Sequence, residues 1–206
     1  MAHRRHSGTV RKTPSLIAGK VRIIAGQWRH RQLSVLPFPG LRPTPDRVRE
    51  TLFNWLSDDL PGATCLDLFA GSGALGFEAA SRGAEQVILI ERDVQLARNL
   101  QQQADLLGAH MVQIVCADAT DWLSRATQCF DVVFIDPPYG TVELLPLMTT
   151  LHREARVNAA SKVYAEVPVD DNRPIFPHNW SLLREKRAGR VRYTLATPTN
   201  KSFATI

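Results

Sequence analysis

Short apolar runs alternate along the chain with longer segments whose apolar residues recur at helical spacing. Residues 64–69, 86–90 and 112–116 have the length and composition of buried strands. Residues 92–107 place apolar side chains on one helical stripe and are followed by Gly108, a typical helix stop. Strands that alternate with helices in this way predict an α/β fold with a mostly parallel sheet.

The same alternation continues in the second half of the chain. Residues 130–135 and 163–167 predict a fourth and a fifth strand, and residues 142–153 predict the helix between them. Two further runs, 180–186 and 190–196, are separated by a glycine-containing turn, so they predict an antiparallel hairpin that closes the sheet.

A compact motif follows the fourth predicted strand, Asp136-Pro137-Pro138-Tyr139. Ligands of open α/β sheets bind at the carboxyl ends of the strands. An acid and a proline carbonyl there can accept hydrogen bonds from both N–H groups of an exocyclic amine of a nucleobase. These bonds free the nitrogen lone pair for attack on a methyl sulfonium. The motif indicates methyl transfer, with Asp136, Pro137 and a base-stacking Tyr139 as catalytic residues. The alternative is a strand ending in a proline turn.

The first predicted strand leads into a glycine-rich turn at residues 71–76. Such a turn brings a ligand close to the backbone at the start of a helix, and its spacing also matches the dinucleotide fingerprint. Asp67 favours a different ligand, because its carboxylate would repel a pyrophosphate and attract the ammonium group of S-adenosylmethionine. A nicotinamide-dependent oxidoreductase is the rival interpretation, and it leaves the motif at residues 136–139 unexplained.

Acids also follow the next two predicted strands. Glu91 ends the second strand at a position suited to the two hydroxyls of a ribose, and Asp118 follows the third at a position suited to an adenine amine. Asp118 is equally suited to cap a helix, and the two roles are compatible. With Asp67 and Asp136, a carboxylate therefore stands at the end of each of four successive strands.

This order of acids resembles the class I S-adenosylmethionine-dependent methyltransferases, and the motif at residues 136–139 resembles their amino-methylating branch. Residues 22–26, 41–44 and 46–56, with the turn after Asp67, are similar to the bacterial 16S rRNA (guanine-N2)-methyltransferases of the RsmD type. The similarity covers most of the chain. His30 departs from the pattern, since glycine is expected there in a turn.

The resemblance implies a Rossmann-like, doubly wound, mostly parallel seven-stranded sheet with a small N-terminal β-hairpin. It implies S-adenosylmethionine as cofactor, S-adenosylhomocysteine as product and no metal. The implied substrate is the exocyclic N2 of guanine 966 in 16S rRNA of an assembled or partly assembled small ribosomal subunit. The implied cofactor-binding residues are Asp67, Phe69, Ala70, Gly71, Gly73, Glu91, Arg92, Asp118, Ala119 and Asp136.

Positive charge is concentrated at the N-terminus, where residues 1–45 hold nine Lys or Arg and no acid. Such a block is either a solvated tail or a nucleic-acid-binding arm. Residues 21–24 and 32–35 predict a hairpin whose tip carries Trp28, which either stacks on unpaired RNA bases or packs against the catalytic domain. The residues expected to contact RNA are Arg22, Trp28, Arg29, Arg31, Arg42 and Arg47.

The length of 206 residues suits one hydrophobic core. We divide the chain into a basic tail of disordered composition (1–18), the hairpin arm with its connector (19–43) and a methyltransferase domain (44–206). Thr44 is expected to cap the helix that follows. No apolar run approaches the length of a membrane span, and the N-terminus lacks the apolar core of a signal peptide, so we expect a cytoplasmic protein.

Cysteine and histidine show no metal-ligand spacing. Cys65, Cys116 and Cys129 are scattered among apolar residues, which predicts buried, reduced thiols.

The choice of methyl acceptor rests on the resemblance alone. Transfer to adenine N6, cytosine N4 or a protein glutamine uses similar motifs, and no residue in the sequence identifies guanine. A non-catalytic RNA-binding assembly factor would explain the basic arm, and it would bind RNA without methylating it.

Overall fold

The computed structural model describes residues 19–39, 41, 44–138 and 142–199. The strands are β1 (Gly19–Arg22), β2 (Gln32–Val35), β3 (Thr64–Asp67), β4 (Gln86–Glu91), β5 (Val112–Cys116), β6 (Val132–Ile135), β7 (Lys162–Pro168), β8 (Trp180–Ala188) and β9 (Val191–Pro198). The helices are α1 (Asp46–Trp55), α2 (Ala74–Ser81), α3 (Val94–Leu107), α4 (Ala119–Arg125) and α5 (Leu144–Arg153).

Seven of these strands form one sheet in the order β5-β4-β3-β6-β7-β9-β8. Strands β3 to β7 are parallel to one another, whereas β9 is antiparallel to both β7 and β8. The predicted α/β fold, mostly parallel sheet and closing hairpin are confirmed. The strand order reverses between β3 and β6, and such a switch point opens a crevice at the carboxyl ends of the strands.

Two hydrophobic layers cover the two faces of the sheet. One cluster joins β1 and β2 to α1, α2 and α3, and the other contains residues of α4 and α5. Helix α2 approaches the sheet closely at Gly76, where a Cβ atom would lie 2.1 Å from Leu89 Cδ2 of β4. Glycine at this position thus sets the depth of the helix that starts at the glycine-rich turn.

The N-terminal hairpin is confirmed, and it packs into the same core as the sheet. Strands β1 and β2 pair antiparallel, from Gly19 opposite Val35 to Arg22 opposite Gln32. Gly26 lies so close to α2 that a Cβ atom would fall 1.7 Å from the Ser81 carbonyl oxygen. The arm is therefore fixed on the body of the protein.

Two local expectations are wrong. Thr44 does not cap α1, because the helix begins after Pro45 without a side-chain cap. The Thr44 hydroxyl instead donates a hydrogen bond to Asp136. Cys65 is buried as predicted, but Cys116 and Cys129 are exposed, since Cys116 ends an edge strand and Cys129 lies in the loop before β6.

Within the described residues, no helix is long and apolar enough to cross a membrane.

His30 adopts a left-handed backbone with φ of 71°. Its N–H donates to the Ile23 carbonyl at 2.9 Å, so the hairpin turn imposes this conformation. A non-glycine residue pays roughly 1–2 kcal/mol for it, which explains why glycine is the expected residue here.

We predict that His30→Gly raises the free energy of unfolding by about 1 kcal/mol, measured by urea denaturation. His110→Gly is the matched control, because His110 is also exposed in a turn and is not among the described residues with positive φ. The control should be neutral or destabilised. A loss of stability in His30→Gly would contradict the strain assigned to the turn.

Candidate active site at the strand ends

Carboxylates gather at the carboxyl ends of the parallel strands. Asp67 and Glu91 are the last residues of β3 and β4, and Asp136 directly follows β6. A further acid, Glu166, lies near the end of β7. The fold therefore brings the predicted strand-end acids to the same end of the parallel strands, and it adds Glu166, which the sequence analysis missed.

Asp67 is almost completely buried, with 2% of its surface exposed. Its Oδ1 accepts a hydrogen bond from the Phe69 N–H at 3.3 Å. Burial raises the pKa of Asp67 to about 7, and the charges of Asp136 and Glu91 add to this effect, while hydrogen bonds from the Phe69 and Gly76 backbones oppose it. A cation bound beside Asp67 would stabilise the ionised carboxylate.

Glu91 fastens the glycine-rich turn to the end of β4. Its Oε2 accepts from the Gly71 N–H at 2.9 Å, and its Oε1 accepts from the Asp93 N–H at 2.8 Å. Gly71 and Gly73 both have positive φ, 50° and 76°, which lets the chain turn sharply before α2. The turn and the carboxylate are thus held as one unit.

Asp118 is the N-cap of α4, as the sequence allowed. Its Oδ1 accepts from the Thr120 N–H at 2.8 Å and from the Asp121 N–H at 3.2 Å. A hydrogen bond with the Thr120 side chain is the largest cause that lowers the pKa of Asp118. The proposed contact with an adenine amine remains a prediction.

The other predicted cofactor residues surround these acids. Phe69 is half-buried and Ala70 is buried, with the Ala70 N–H donating to the Ile90 carbonyl at 2.9 Å. Arg92 is exposed directly after Glu91, and Ala119 is buried at the start of α4. All of them lie at the carboxyl ends of β3, β4 and β5.

Asp136 belongs to a hydrogen-bonded cluster with Thr44 at its centre. The Thr44 hydroxyl donates to Asp136 Oδ2 at 3.2 Å, and Thr44 is near enough to Glu166 to lower the pKa of that carboxyl. The Tyr164 hydroxyl donates to Glu166 Oε1 at 2.5 Å. Burial raises the pKa of Asp136 to about 6, and burial together with the Asp136 charge raises the pKa of Glu166 to about 8.

The sequence does contain a signal for Glu166. It is an acid inside an otherwise apolar strand, and buried acids are rare unless they are paired or functional. Thr44 gave no such signal, because its position before Pro45 looks like an ordinary helix cap. Only the folded chain shows that this hydroxyl lies beside Asp136.

A cavity of about 420 Å³ opens beside this cluster. Pro137 and Pro138 form part of its wall, and Glu166 contributes a carboxyl group. Much of the remaining wall is apolar, including Val142, Leu144, Val167, Pro168 and Ile175. Glu143, Asp171 and Arg173 add polar groups, and a largely apolar cleft with a few polar groups has the composition of a ligand pocket. Tyr139 lies outside the described residues.

The predicted RNA-contacting arginines occupy two regions. Arg22 and Arg47 are exposed near the start of α1, where Arg22 pairs with Asp46 at 3.3 Å. Arg29 and Arg31 are exposed at the hairpin tip, and Arg31 Nη2 donates to the Leu106 carbonyl at the end of α3 at 3.3 Å. The tip therefore lies toward the amino ends of the parallel strands, whereas Asp136 lies at their carboxyl ends. Arg42 lies outside the described residues.

Trp28 does not offer its ring to RNA. It is 5% exposed and belongs to the hydrophobic cluster shared by the arm and the sheet. Its backbone N–H donates to Ser81 Oγ at 3.0 Å. Packing, the second of the two alternatives for Trp28, is the one that the structure shows, because closing the arm against α2 buries the indole.

The raised pKa values predict how stability depends on pH. The folded protein retains protons on Asp67 and Glu166 that the unfolded chain releases near pH 4 to 5. Their favourable contribution is complete below this range and is lost as the pH rises through about 7 to 8. Each group should contribute on the order of 1–2 kcal/mol to the decline.

We predict that urea denaturation gives a lower free energy of unfolding at pH 8.0 than at pH 5.5, and that Asp67→Asn or Glu166→Gln reduces this difference. Asp58→Asn removes an exposed acid and should leave the difference unchanged. An equal decline in wild type and in both buried variants would show that these carboxyls do not carry the effect.

Comparisons with known proteins agree on one family. The family model described as Conserved hypothetical protein 95 matches residues 21–197. Ribosomal RNA small subunit methyltransferase D of Escherichia coli K12 is 44% identical over 178 residues, covering 86% of this chain and 90% of that protein. Its namesake from Haemophilus influenzae is 42% identical over 182 residues, covering 86% and 93%.

A solved structure shares the fold as well as the sequence. The structure of yhhF from Escherichia coli superposes with a TM-score of 0.80 at 43% identity, covering 89% of this chain and 100% of that one. Sequence and fold thus lead to the same conclusion, and the chain belongs to the RsmD family of methyltransferases.

Proposed function

We propose that the protein transfers a methyl group from S-adenosylmethionine to the exocyclic N2 of one guanine in 16S rRNA, guanine 966 in the usual ribosomal numbering. The observation that carries the proposal is the position of Asp136 and Pro137, at the end of β6 and beside the cavity. Relatives named ribosomal RNA small subunit methyltransferase D support rRNA as the substrate.

The strand-end residues fit the proposed cofactor by their chemistry. S-adenosylmethionine presents an ammonium group, a ribose diol and an adenine amine, all of which are hydrogen-bond donors, and three carboxylates can accept them. Asp67 would hold the ammonium group, Glu91 the diol and Asp118 the amine. The cofactor supplies an electrophilic methyl group on a sulfonium. Phe69, Ala70, Gly71, Gly73, Arg92 and Ala119 would complete the binding surface.

The residues of the second half of the site would prepare the acceptor. Asp136 and the Pro137 carbonyl accept hydrogen bonds from the two N–H groups of the target amine and direct its lone pair away from the ring. Tyr139 stacks on the everted base, and the apolar cavity wall excludes water from it. Asp136 is placed to accept the proton that the amine loses after transfer. Orientation of the two reactants supplies most of the rate enhancement.

The proposed setting is the cytoplasm, with rRNA in an assembled or partly assembled small subunit. An unpaired guanine suits the site best, because eversion from a duplex costs a few kcal/mol and eversion from a loop costs less. The proposed reaction scheme uses no metal ion.

We predict that Asp136→Ala abolishes methyl transfer and that Asp136→Asn keeps part of it, because asparagine retains one acceptor oxygen for the amine. S-adenosylmethionine affinity should stay within about tenfold in both variants, since the lost contact acts mainly in the transition state. The measurement is incorporation of labelled methyl groups into unmodified small subunits, with calorimetry for cofactor binding.

Near-normal turnover of Asp136→Ala would refute the mechanism. RNA binding by wild type without any methyl incorporation would instead favour a non-catalytic assembly factor. Calorimetry with NAD in the same series tests the oxidoreductase alternative, for which NAD should bind and S-adenosylmethionine should not.

We further propose that the arm extends the RNA footprint beyond the catalytic site. Helix α3 has 14 residues and spans about 21 Å, so Arg29 and Arg31 would contact RNA at a distance from the target base. Charge reversal of both should weaken RNA binding and flatten its salt dependence by about one unit of slope per lost phosphate contact. Binding is measured at several salt concentrations.

The matched control reverses Arg125 and Arg153, two exposed arginines at the ends of α4 and α5 on the other face of the sheet. It changes the net charge equally and should leave the salt slope as in wild type. If the two double variants behave alike, the arm is not part of the RNA footprint.

A further inference from the structure

Asp136 and Glu166 stand side by side across two neighbouring strands. The last paired residues of β6 and β7 are Ile135 and Ala165, and each acid follows directly after its member of that pair. Neighbouring parallel strands are about 4.8 Å apart, so the two carboxyls are close. The Thr44 hydroxyl donates to Asp136, and the pKa of Glu166 is shifted by both Asp136 and Thr44.

Glu166 also lines the cavity that Pro137 and Pro138 border. Only 6% of the residue is exposed, and its Oε1 already accepts the Tyr164 hydroxyl. Its other oxygen, Oε2, can accept a hydrogen bond from a ligand in the cavity. Burial of a carboxyl group is costly, and acids with strongly shifted pKa values are concentrated at functional sites.

The nucleobases differ in the ring nitrogen next to the exocyclic amine. In guanine two ring nitrogens flank the N2 amine, and one of them, N1, carries a hydrogen and is a donor, while N3 is an acceptor. In adenine the nitrogen beside N6 is an acceptor, and in cytosine the nitrogen beside N4 is an acceptor. A site with two adjacent acceptors therefore matches the two adjacent donors of guanine alone.

We propose that Glu166 is the residue that selects guanine. It accepts a hydrogen bond from the guanine N1–H group, while Asp136 accepts one from the N2 amine. This inference rests on the proposed function and names its specificity determinant. Thr44 and Tyr164 act as positioning residues, because their hydroxyls fix the orientation of the two carboxyls. The N1–H group would supply a donor to the Glu166 carboxylate when it is ionised.

The protonation state of Glu166 decides which base would be favoured. Burial and the Asp136 charge raise its pKa to about 8, so the free site holds a proton on this group at neutral pH. A guanine N1–H bond favours the ionised carboxylate and binds with release of that proton. A Glu166 that stayed neutral would donate to a ring nitrogen instead, and the preference would be the reverse.

The test uses 2-aminopurine, which keeps the N2 amine of guanine but has an acceptor at N1. Small subunits are reconstituted with 16S rRNA that carries either guanine or 2-aminopurine at the methylated position. The ratio of kcat/KM for the two substrates is measured for wild type, Glu166→Gln and Glu143→Gln. Above the Glu166 pKa of about 8, where the group is ionised, wild type should prefer guanine by about a hundredfold, because 2-aminopurine leaves the carboxylate without its donor.

Glu166→Gln should reduce this preference to about tenfold or less, since the amide can both donate and accept. Glutamine also keeps an acceptor for the Tyr164 hydroxyl, so the variant should fold. Glu143→Gln is the matched control, because Glu143 is an exposed carboxylate on the cavity rim, and it should discriminate as wild type does. Loss of overall activity with an unchanged ratio would reveal a merely structural Glu166 and overturn the inference.

Two other outcomes would also overturn it: a wild-type preference for 2-aminopurine, or an equal change of the ratio in both glutamine variants. The failure of the proposed function is recognised separately, because wild type would then leave the guanine substrate without N2-methylguanosine.

Discussion

A buried charge cluster around Arg49 and Glu78 holds the arm, α1 and α2 in one arrangement, and the site depends on it. Both side chains are completely buried, and Arg49 Nη1 lies 3.8 Å from Glu78 Oε2. Glu78 accepts from the Ile24 and Ala25 N–H groups at 2.7 and 3.0 Å, and Arg49 donates to the carbonyls of Arg22 and Thr44 at 2.9 and 3.2 Å. Each residue also has a second ion pair, Glu78 with Arg82 at 2.7 Å and Arg49 with Asp46 at 2.6 Å, so removing either one would disrupt a network of buried charges that joins the arm to both helices.

This arrangement is connected to the candidate site through Thr44. Arg49 donates to the Thr44 carbonyl and the Thr44 hydroxyl donates to Asp136, so the arm and α1 support the strand ends that carry the acids. Asp67, Asp136 and Glu166 all have raised pKa values, chiefly because they are buried. Buried acids with raised pKa values lower the stability of the folded protein. They are typical of sites whose ligands bring hydrogen-bond donors and positive charge.

Much of the fold followed from hydrophobic patterning, because each parallel strand is a short apolar run and helices such as α3 and α5 have one apolar face. The strand-end acids were also readable, since a strand fixes where its last residue lies. The roles of Trp28 and Thr44 were not, because they depend on which distant residue faces them, Ser81 for Trp28 and Asp136 for Thr44, and sequence spacing does not encode such contacts. Glu166 is recognisable as an acid in an apolar stretch, but only the fold shows that it lies near Asp136. The exposure of Cys116 likewise depends on β5 being an edge strand.

The most direct test of the account is to identify the methylated nucleoside. Small subunits that lack the modification are incubated with the protein and labelled S-adenosylmethionine, and the rRNA is analysed by nucleoside mass spectrometry with mapping of the labelled position. The account predicts N2-methylguanosine at a single site in 16S rRNA. Label in methyladenosine, methylcytidine or a ribosomal protein would contradict it.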